Sequence, residues 1–191
     1  MIDFDEATHT YRVAGRVVPS VTQIISAAGL RGDFPVSADV MAYAGERGKA
    51  VHLACELDDK GELDEGSVHP AIAGYLAAYR RFKSECAYHP GIAEVPRYHE
   101  THHYCGTPDR VCQINGQDAV LDLKSGVKLA ATGVQLAAYA QMVGKPAAAR
   151  FGLQLTGEGT YRLVAYTSTR DWPAFLAALT LYRWRQENGL G

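Results

Sequence analysis

The sequence predicts an α/β sandwich, a mixed β-sheet flanked by helices, with a β-hairpin at its N-terminal end. Three observations lead there. Two long stretches of helical periodicity precede a meander of short alternating segments. A helix, a second hairpin and a closing helix follow that meander. The order lacks the regular strand–helix–strand alternation of a fully parallel fold. With 191 residues and 47% hydrophobic content, one domain over 1–191 is expected.

Each element has a local reason. "THTYRVAGRVVPSVT" reads as a hairpin, with strands near 9–13 and 16–18 about an Ala14-Gly15 turn. Ser20 stands where an N-cap belongs, before a helix to about Ala28 that Gly29 ends. Residues 1–30 thus form a hairpin-and-helix extension. "GLRGDFPVS" is a loop, and "SADVMAYAGERGKAVHLACELDDKGE" is a helix over about 37–59, open to interruption at Gly45. A third helix covers about 69–86, with Leu76, Tyr79 and Phe82 near one face. Strands follow over about 91–98, 102–114 and 118–125, then a helix over about 133–143. "RFGLQLT" and "TYRLVAYTST" form the second hairpin, turning at Gly157-Glu158-Gly159. Asp171 caps a last helix to about Glu187, with Pro173 tolerated in its first turn.

Composition excludes several classes. No apolar run reaches the roughly 18 residues of a membrane span. The acidic start "MIDFDEATHT" lacks the basic-then-apolar pattern of a signal peptide, so a cytoplasmic protein is expected. Cys55, Cys86, Cys105 and Cys112 show neither CxxC nor zinc-finger spacing and read as free thiols. Net charge is −2, but it is unevenly spread: residues 1–66 hold twelve acids and six bases, residues 67–191 nine acids and thirteen bases. "YRRFK" (79–83) and "YRWRQ" (182–186) mix cations with aromatics, which suits contact with phosphates and bases but equally suits solvated helix faces.

The chemistry concentrates in "CGTPDRVCQINGQDAVLDLKSG", residues 105–126. Asn115-Gly116 is a strong two-residue hairpin signal, since both residues tolerate positive φ. With that loop, Ile114 faces Gln117 and Asp109 faces Asp122; a four-residue loop would instead set Asp109 opposite Lys124. Asp109, Asp122 and Lys124 share one face in either register. Opposed carboxylates about 5 Å apart repel by ~3 kcal/mol at an effective dielectric near 20. Either one acid is protonated or a cation lies between them. Lys124 supplies one positive charge; a divalent metal supplies two and prefers such oxygen ligands. A solvent-facing patch with Asp109 paired to Arg110 or Lys124 satisfies the same spacing.

Upstream, "GERGKAVHLACE" sets Gly48, His52 and Glu56 along one helical face, and two glycines (Gly45, Gly48) suggest close approach of another element. Downstream, "VQLAAYA" puts Gln135 and Tyr139 one turn apart. "HETHH" (99–103) contains the letters of a zinc-protease helix, but Pro96 and the β-formers Tyr98, Thr101 and Tyr104 favour extended backbone. It reads better as a surface histidine cluster that binds metal adventitiously.

Taken in order, these pieces resemble the PD-(D/E)XK nucleases. "TPD", twelve residues, then "DLK" fits that pattern, with Asp as second acid. "RGKAVH" and "QLAAY" resemble the histidine-bearing helix and the Q-h-x-x-Y motif of the RecB-like branch, and "HTYRVAGRVVPSVTQII" resembles the start of its phage and prophage exonucleases. The resemblance spans residues 47–139 and implies a restriction-endonuclease-like core. It implies that His52, Asp109, Asp122 and the Leu123 carbonyl hold one or two Mg²⁺ or Mn²⁺ ions. Lys124 would orient or help deprotonate the attacking water, and Gln135 and Tyr139 would support the site or touch DNA. Glu56 and Glu94 would be outer or second-metal candidates. The iron–sulfur cysteines of some relatives are absent, as are helicase motifs. The implied activity is a metal-dependent deoxyribonuclease, an exonuclease of phage or prophage recombination or repair. DNA is the implied partner, with a homo-oligomer or a single-strand annealing or recombination protein as a second. The alternatives are a structure-specific or restriction-like endonuclease and a non-catalytic DNA-binding protein with a vestigial fold.

Overall fold

A computed structural model describes residues 1–30, 38–126 and 130–190. Its centre is a five-stranded mixed sheet built from β4 (His89–Ala93), β7 (Arg110–Ile114), β8 (Gln117–Lys124), β9 (Ala149–Leu155) and β10 (Tyr161–Ala165), in the order β10-β9-β8-β7-β4. Only the central β8–β9 pair is parallel. Its crossover carries α4 (Thr132–Met142), as a parallel connection requires. The neighbouring hairpins keep the outer pairs antiparallel.

Helices cover both faces. Alternation along β8 sends Ala119, Leu121 and Leu123 into one apolar cluster with α2 (Ala38–Lys60) and α3 (Pro70–Glu85). Val120 packs on the other face among α1 (Val21–Ala27), α4 and α5 (Asp171–Glu187). Because β8 is buried on both faces, it reads as the unbroken apolar run "AVL" rather than as alternation. The mixed α/β architecture expected from the sequence is present, and no described helix is long and apolar enough to cross a membrane.

The N-terminal hairpin, β2 (Thr10–Val13) with β3 (Arg16–Val18), gains a third strand, β1 (Ile2–Asp5), which pairs with β2 and was not expected. Ser20 caps α1 through a capping box with Gln23. The segments expected as single strands over 91–98 and 102–114 are each broken. A small antiparallel pair, β5 (Arg97–His99) with β6 (Tyr104–Gly106), interrupts them, and Thr107-Pro108-Asp109 separates β6 from β7. Proline supplies no ladder donor, so a strand cannot run through it unchanged. The helix expected from 37 is α2 without a break at Gly45; residues 31–37, including its expected start, lie outside the described residues. Asp171 begins α5 rather than capping it, because its carboxylate is held 2.8 Å from the Arg150 guanidinium on β9. The four cysteines are free thiols.

Both basic clusters are consumed by the fold. Arg80 and Lys83 pair with Asp58, and Arg81 with Glu85. Arg183 and Arg185 donate to the carbonyls of His102 and Ala27, tying α5 to the β5–β6 turn and to the end of α1. Neither glycine suspected of close approach requires it: a Cβ at Gly45 would meet open space, and one at Gly48 would sit 3.6 Å from Ser125 Oγ, an ordinary van der Waals contact.

Candidate functional site

The β7–β8 hairpin closes with Asn115 (φ 50°) and Gly116 (φ 77°), and its ladder runs from Ile114↔Gln117 to Arg110↔Leu121. This is the two-residue-loop register. Asp109 stands one residue beyond the last rung, where its side chain takes over from the backbone: Oδ2 accepts the Leu123 amide at 2.7 Å. Asp109 is 9% and Asp122 1% exposed, so the pair is no solvent-facing patch. The Lys124 ammonium lies 2.9 Å from either oxygen of Asp122, but only Oδ1 receives a well-directed hydrogen bond. Asp122 Oδ2 is buried with no hydrogen-bond partner among the described residues. Arg110 does not pair with the Asp109 carboxylate; its Nη1 donates to the Asp109 carbonyl at 2.6 Å.

Asp109, Asp122 and Lys124 line one cavity of about 180 Å³ together with His52, Thr22, Ile25, Ala131, Thr132 and Gln135. His52 enters from α2 and spans the two strands. Its Nε2 sits 3.1 Å from the Leu123 carbonyl and 3.8 Å from Asp109 Oδ2, and its Nδ1 3.1 Å from Glu94 Oε1. Glu94 follows β4 in the left-handed conformation (φ 50°), and its amide donates to the carbonyls of Pro108 and Asp109 at 3.2 and 3.3 Å. Among the described residues, His52, Glu94 and Asp109 form the group whose ligand atoms all lie within 4.8 Å and could hold a metal ion.

The electrostatics follow from burial and crowding. Burial pushes the Asp122 carboxyl up, Lys124 pulls it back, and Asp109 adds repulsion; the result is about 6. Burial drags His52 down, but the Asp109 charge, the Glu94 carboxylate and the Leu123 carbonyl outweigh it and raise the imidazole to about 9. The Asp122 carboxyl thus lies beside the Lys124 amine, and the His52 imidazole beside Asp109 is shifted toward its protonated form. The donor set is carboxylate oxygens, a backbone carbonyl and one imidazole nitrogen, with one carboxylate oxygen orphaned in the interior. Oxygen donors with one imidazole nitrogen are a set that could hold a metal ion.

Gln135 and Tyr139 come to the same place from α4. Gln135 lines the cavity and donates through Nε2 to the Tyr139 hydroxyl at 3.3 Å. Tyr139 is buried, and burial followed by the nearby Asp109 charge holds its hydroxyl well above its ordinary value. Gly106 makes room for it: a Cβ there would stand 2.7 Å from the Tyr139 ring. Glu56, by contrast, spends its carboxylate on Lys60 at 2.6 Å, one helical turn on, and does not line the cavity. His99, His102 and His103 occupy a strand end and turn, not a helix. His99 and His102 pack against Trp172, and the Tyr98 hydroxyl bonds His103.

Asp59 went unread in the sequence, and Arg110 was read only as a partner for the Asp109 carboxylate. Arg110 is fully buried and donates through Nε to Asp59 Oδ2 at 2.9 Å; Asp59 also receives the hydroxyls of Tyr79 and Tyr88. The available signal was an arginine opening the strand "RVCQI" next to apolar Val111 and Cys112; once buried there it requires an acid partner. No protein-family model matches the chain, and no curated protein matches it in sequence.

Proposed function

We propose that the chain is a metal-dependent deoxyribonuclease of the PD-(D/E)XK type, acting as an exonuclease in phage or prophage recombination or repair. One observation carries the reading. Asp109, from the segment that leads into β7, Asp122 and Lys124, from β8, and His52, from α2, meet at a single cavity, and one carboxylate oxygen of Asp122 is buried without a hydrogen bond. That oxygen stands 2.9 Å from the Lys124 ammonium yet without a hydrogen bond, and a divalent cation would complete its surroundings.

His52 Nε2, Asp109, Asp122 and the Leu123 carbonyl are the groups that would hold Mg²⁺ or Mn²⁺. Such an ion acidifies bound water and offsets the charge that builds on a phosphate under attack. The chain's own residues do the rest. The Leu123 amide donates to Asp109, so that carboxylate is pinned before any ligand arrives. Lys124, held at Asp122, keeps a positive charge at the cavity where a phosphate oxygen would turn negative. Burial of the carboxylates strengthens every one of these interactions relative to water.

The test is cleavage of linear and covalently closed DNA with Mg²⁺ or Mn²⁺. Digestion from ends, abolished by Asp122→Ala and by Lys124→Ala in folded protein, is expected. Activity retained in both variants would defeat the assignment. Cutting of closed circles would move it to an endonuclease, and binding without cleavage to a vestigial fold.

A further inference from the structure

We propose that Glu94 and Arg110, braced by Asp59, are positioning residues that act through His52; this rests on the reading of His52 as a metal ligand. A ligating histidine needs its second ring nitrogen held by an acceptor, which fixes tautomer and ring orientation. Glu94 Oε1, 3.1 Å from Nδ1, occupies that place and leaves Nε2 turned toward Asp109 and Leu123.

Glu94 is itself unusually constrained. A non-glycine residue at φ 50° is held there by its amide bonds to Pro108 and Asp109, so its backbone is tied to the segment that carries the first acid. Arg110 Nη1 lies 3.4 Å from Glu94 Oε1 and 2.6 Å from the Asp109 carbonyl, so one guanidinium touches both neighbours of the site.

The other end of that guanidinium reaches α2. Asp59 stands seven residues beyond His52 on the same helix, about two turns away. The Arg110–Asp59 contact therefore staples the helix that presents His52 to the strand that follows Asp109. Asp59 is fixed in turn by Tyr79, Tyr88 and Lys83 at 2.7, 3.1 and 3.1 Å. A buried ion pair is a weak source of stability, since apolar replacements often do as well. Here it sets the register between two ligand-bearing elements.

Mn²⁺ calorimetry on metal-free protein tests this without reference to cleavage. Glu94→Gln should weaken Mn²⁺ binding about 10- to 100-fold, the range of outer-shell histidine partners. In a His52→Ala background the same change should cost nothing further, because its route to the metal is gone. Losses that multiply instead would make Glu94 a direct ligand and overturn the inference, as would unchanged affinity in Glu94→Gln. Arg110→Lys, checked for folding by thermal melts, should lower affinity in the wild-type background alone. Should it melt early, Arg110→Met with Asp59→Leu removes both buried charges together and is expected to show the same loss. Unaltered Mn²⁺ binding in whichever Arg110 variant folds would remove Arg110 from the account. If wild-type protein takes up no Mn²⁺, the nuclease reading falls with it; if wild type binds but the variants match it, only this inference falls.

Discussion

Replacing Asp122 with asparagine should stabilise the metal-free protein while destroying its capacity for metal. The carboxyl is buried, crowded by Asp109, and raised from an ordinary 3.8 to about 6 in the folded state. A native-state value above the unfolded one means that the folded chain binds the extra proton between those pH values, so stability falls as pH rises from about 4 to about 6. Above that window the ionised carboxylate costs the fold about 3 kcal/mol, at 1.36 kcal/mol per tenfold change in proton affinity. An asparagine side chain is neutral at every pH and avoids the cost. Lys124, at 26% side-chain exposure, can turn its ammonium to water once the charge beside it is gone. In chelator at pH 8 the variant should unfold about 6–12 °C higher than wild type, at 2–4 °C per kcal/mol for a chain of this size. The difference should shrink toward zero at pH 4. In excess Mn²⁺ the ranking should narrow or reverse, because only wild type gains binding free energy. Thermal melts by circular dichroism across pH, with and without Mn²⁺, read all three. A gain that is independent of pH, or no gain at pH 8, would refute the claim that burial and Asp109 strain this carboxylate.

Further outcomes follow from His52 and from the packing of the helices. His52, raised to about 9, is imidazolium at neutral pH and must lose its proton to bind metal; Mn²⁺ uptake at pH 7 should release close to one proton, and His52→Gln should release none. Calorimetry in buffers of different ionisation enthalpy measures it. The group's own contribution to stability runs opposite to that of Asp122: full below about 6.5 and lost as pH climbs through 9. Gly74 and Gly45, both inside helices, should respond with opposite signs to alanine. At Gly74 a Cβ would stand 1.7 Å from the Gly157 carbonyl oxygen, an overlap worth about 1–3 kcal/mol or more that outweighs the ~1 kcal/mol helix-propensity gain. At Gly45 there is open space and the gain stands alone. Urea melts decide both.

Much of the site was legible because it depends on short-range geometry. Asn115-Gly116 fixed the loop, the loop fixed the register, and the register put Asp109 beside Asp122. Helical spacing likewise joined Gln135 to Tyr139. What escaped depends on irregular backbone and on contacts distant in sequence. Glu94 was named only through the resemblance; its contact with His52 comes after an irregular β4, from a residue of left-handed φ, and no periodicity reports either. Asp59 and Arg110 are 51 residues apart, and nothing local in "DDK" or "PDR" pairs them. Pro108 broke a strand that alternation alone carried straight through. Glu56 shares the His52 face by spacing, yet a lysine one turn away captures it.

The central claim is that a divalent cation is what allows Asp109 and Asp122 to share a buried cavity with His52. Crystals soaked in Mn²⁺ and recorded near the manganese absorption edge test it most directly. The account predicts an anomalous peak in contact with both carboxylates, the Leu123 carbonyl and His52 Nε2, absent in Asp122→Asn. A featureless cavity at saturating Mn²⁺, or a peak confined to the histidines of the β5–β6 turn, would contradict it.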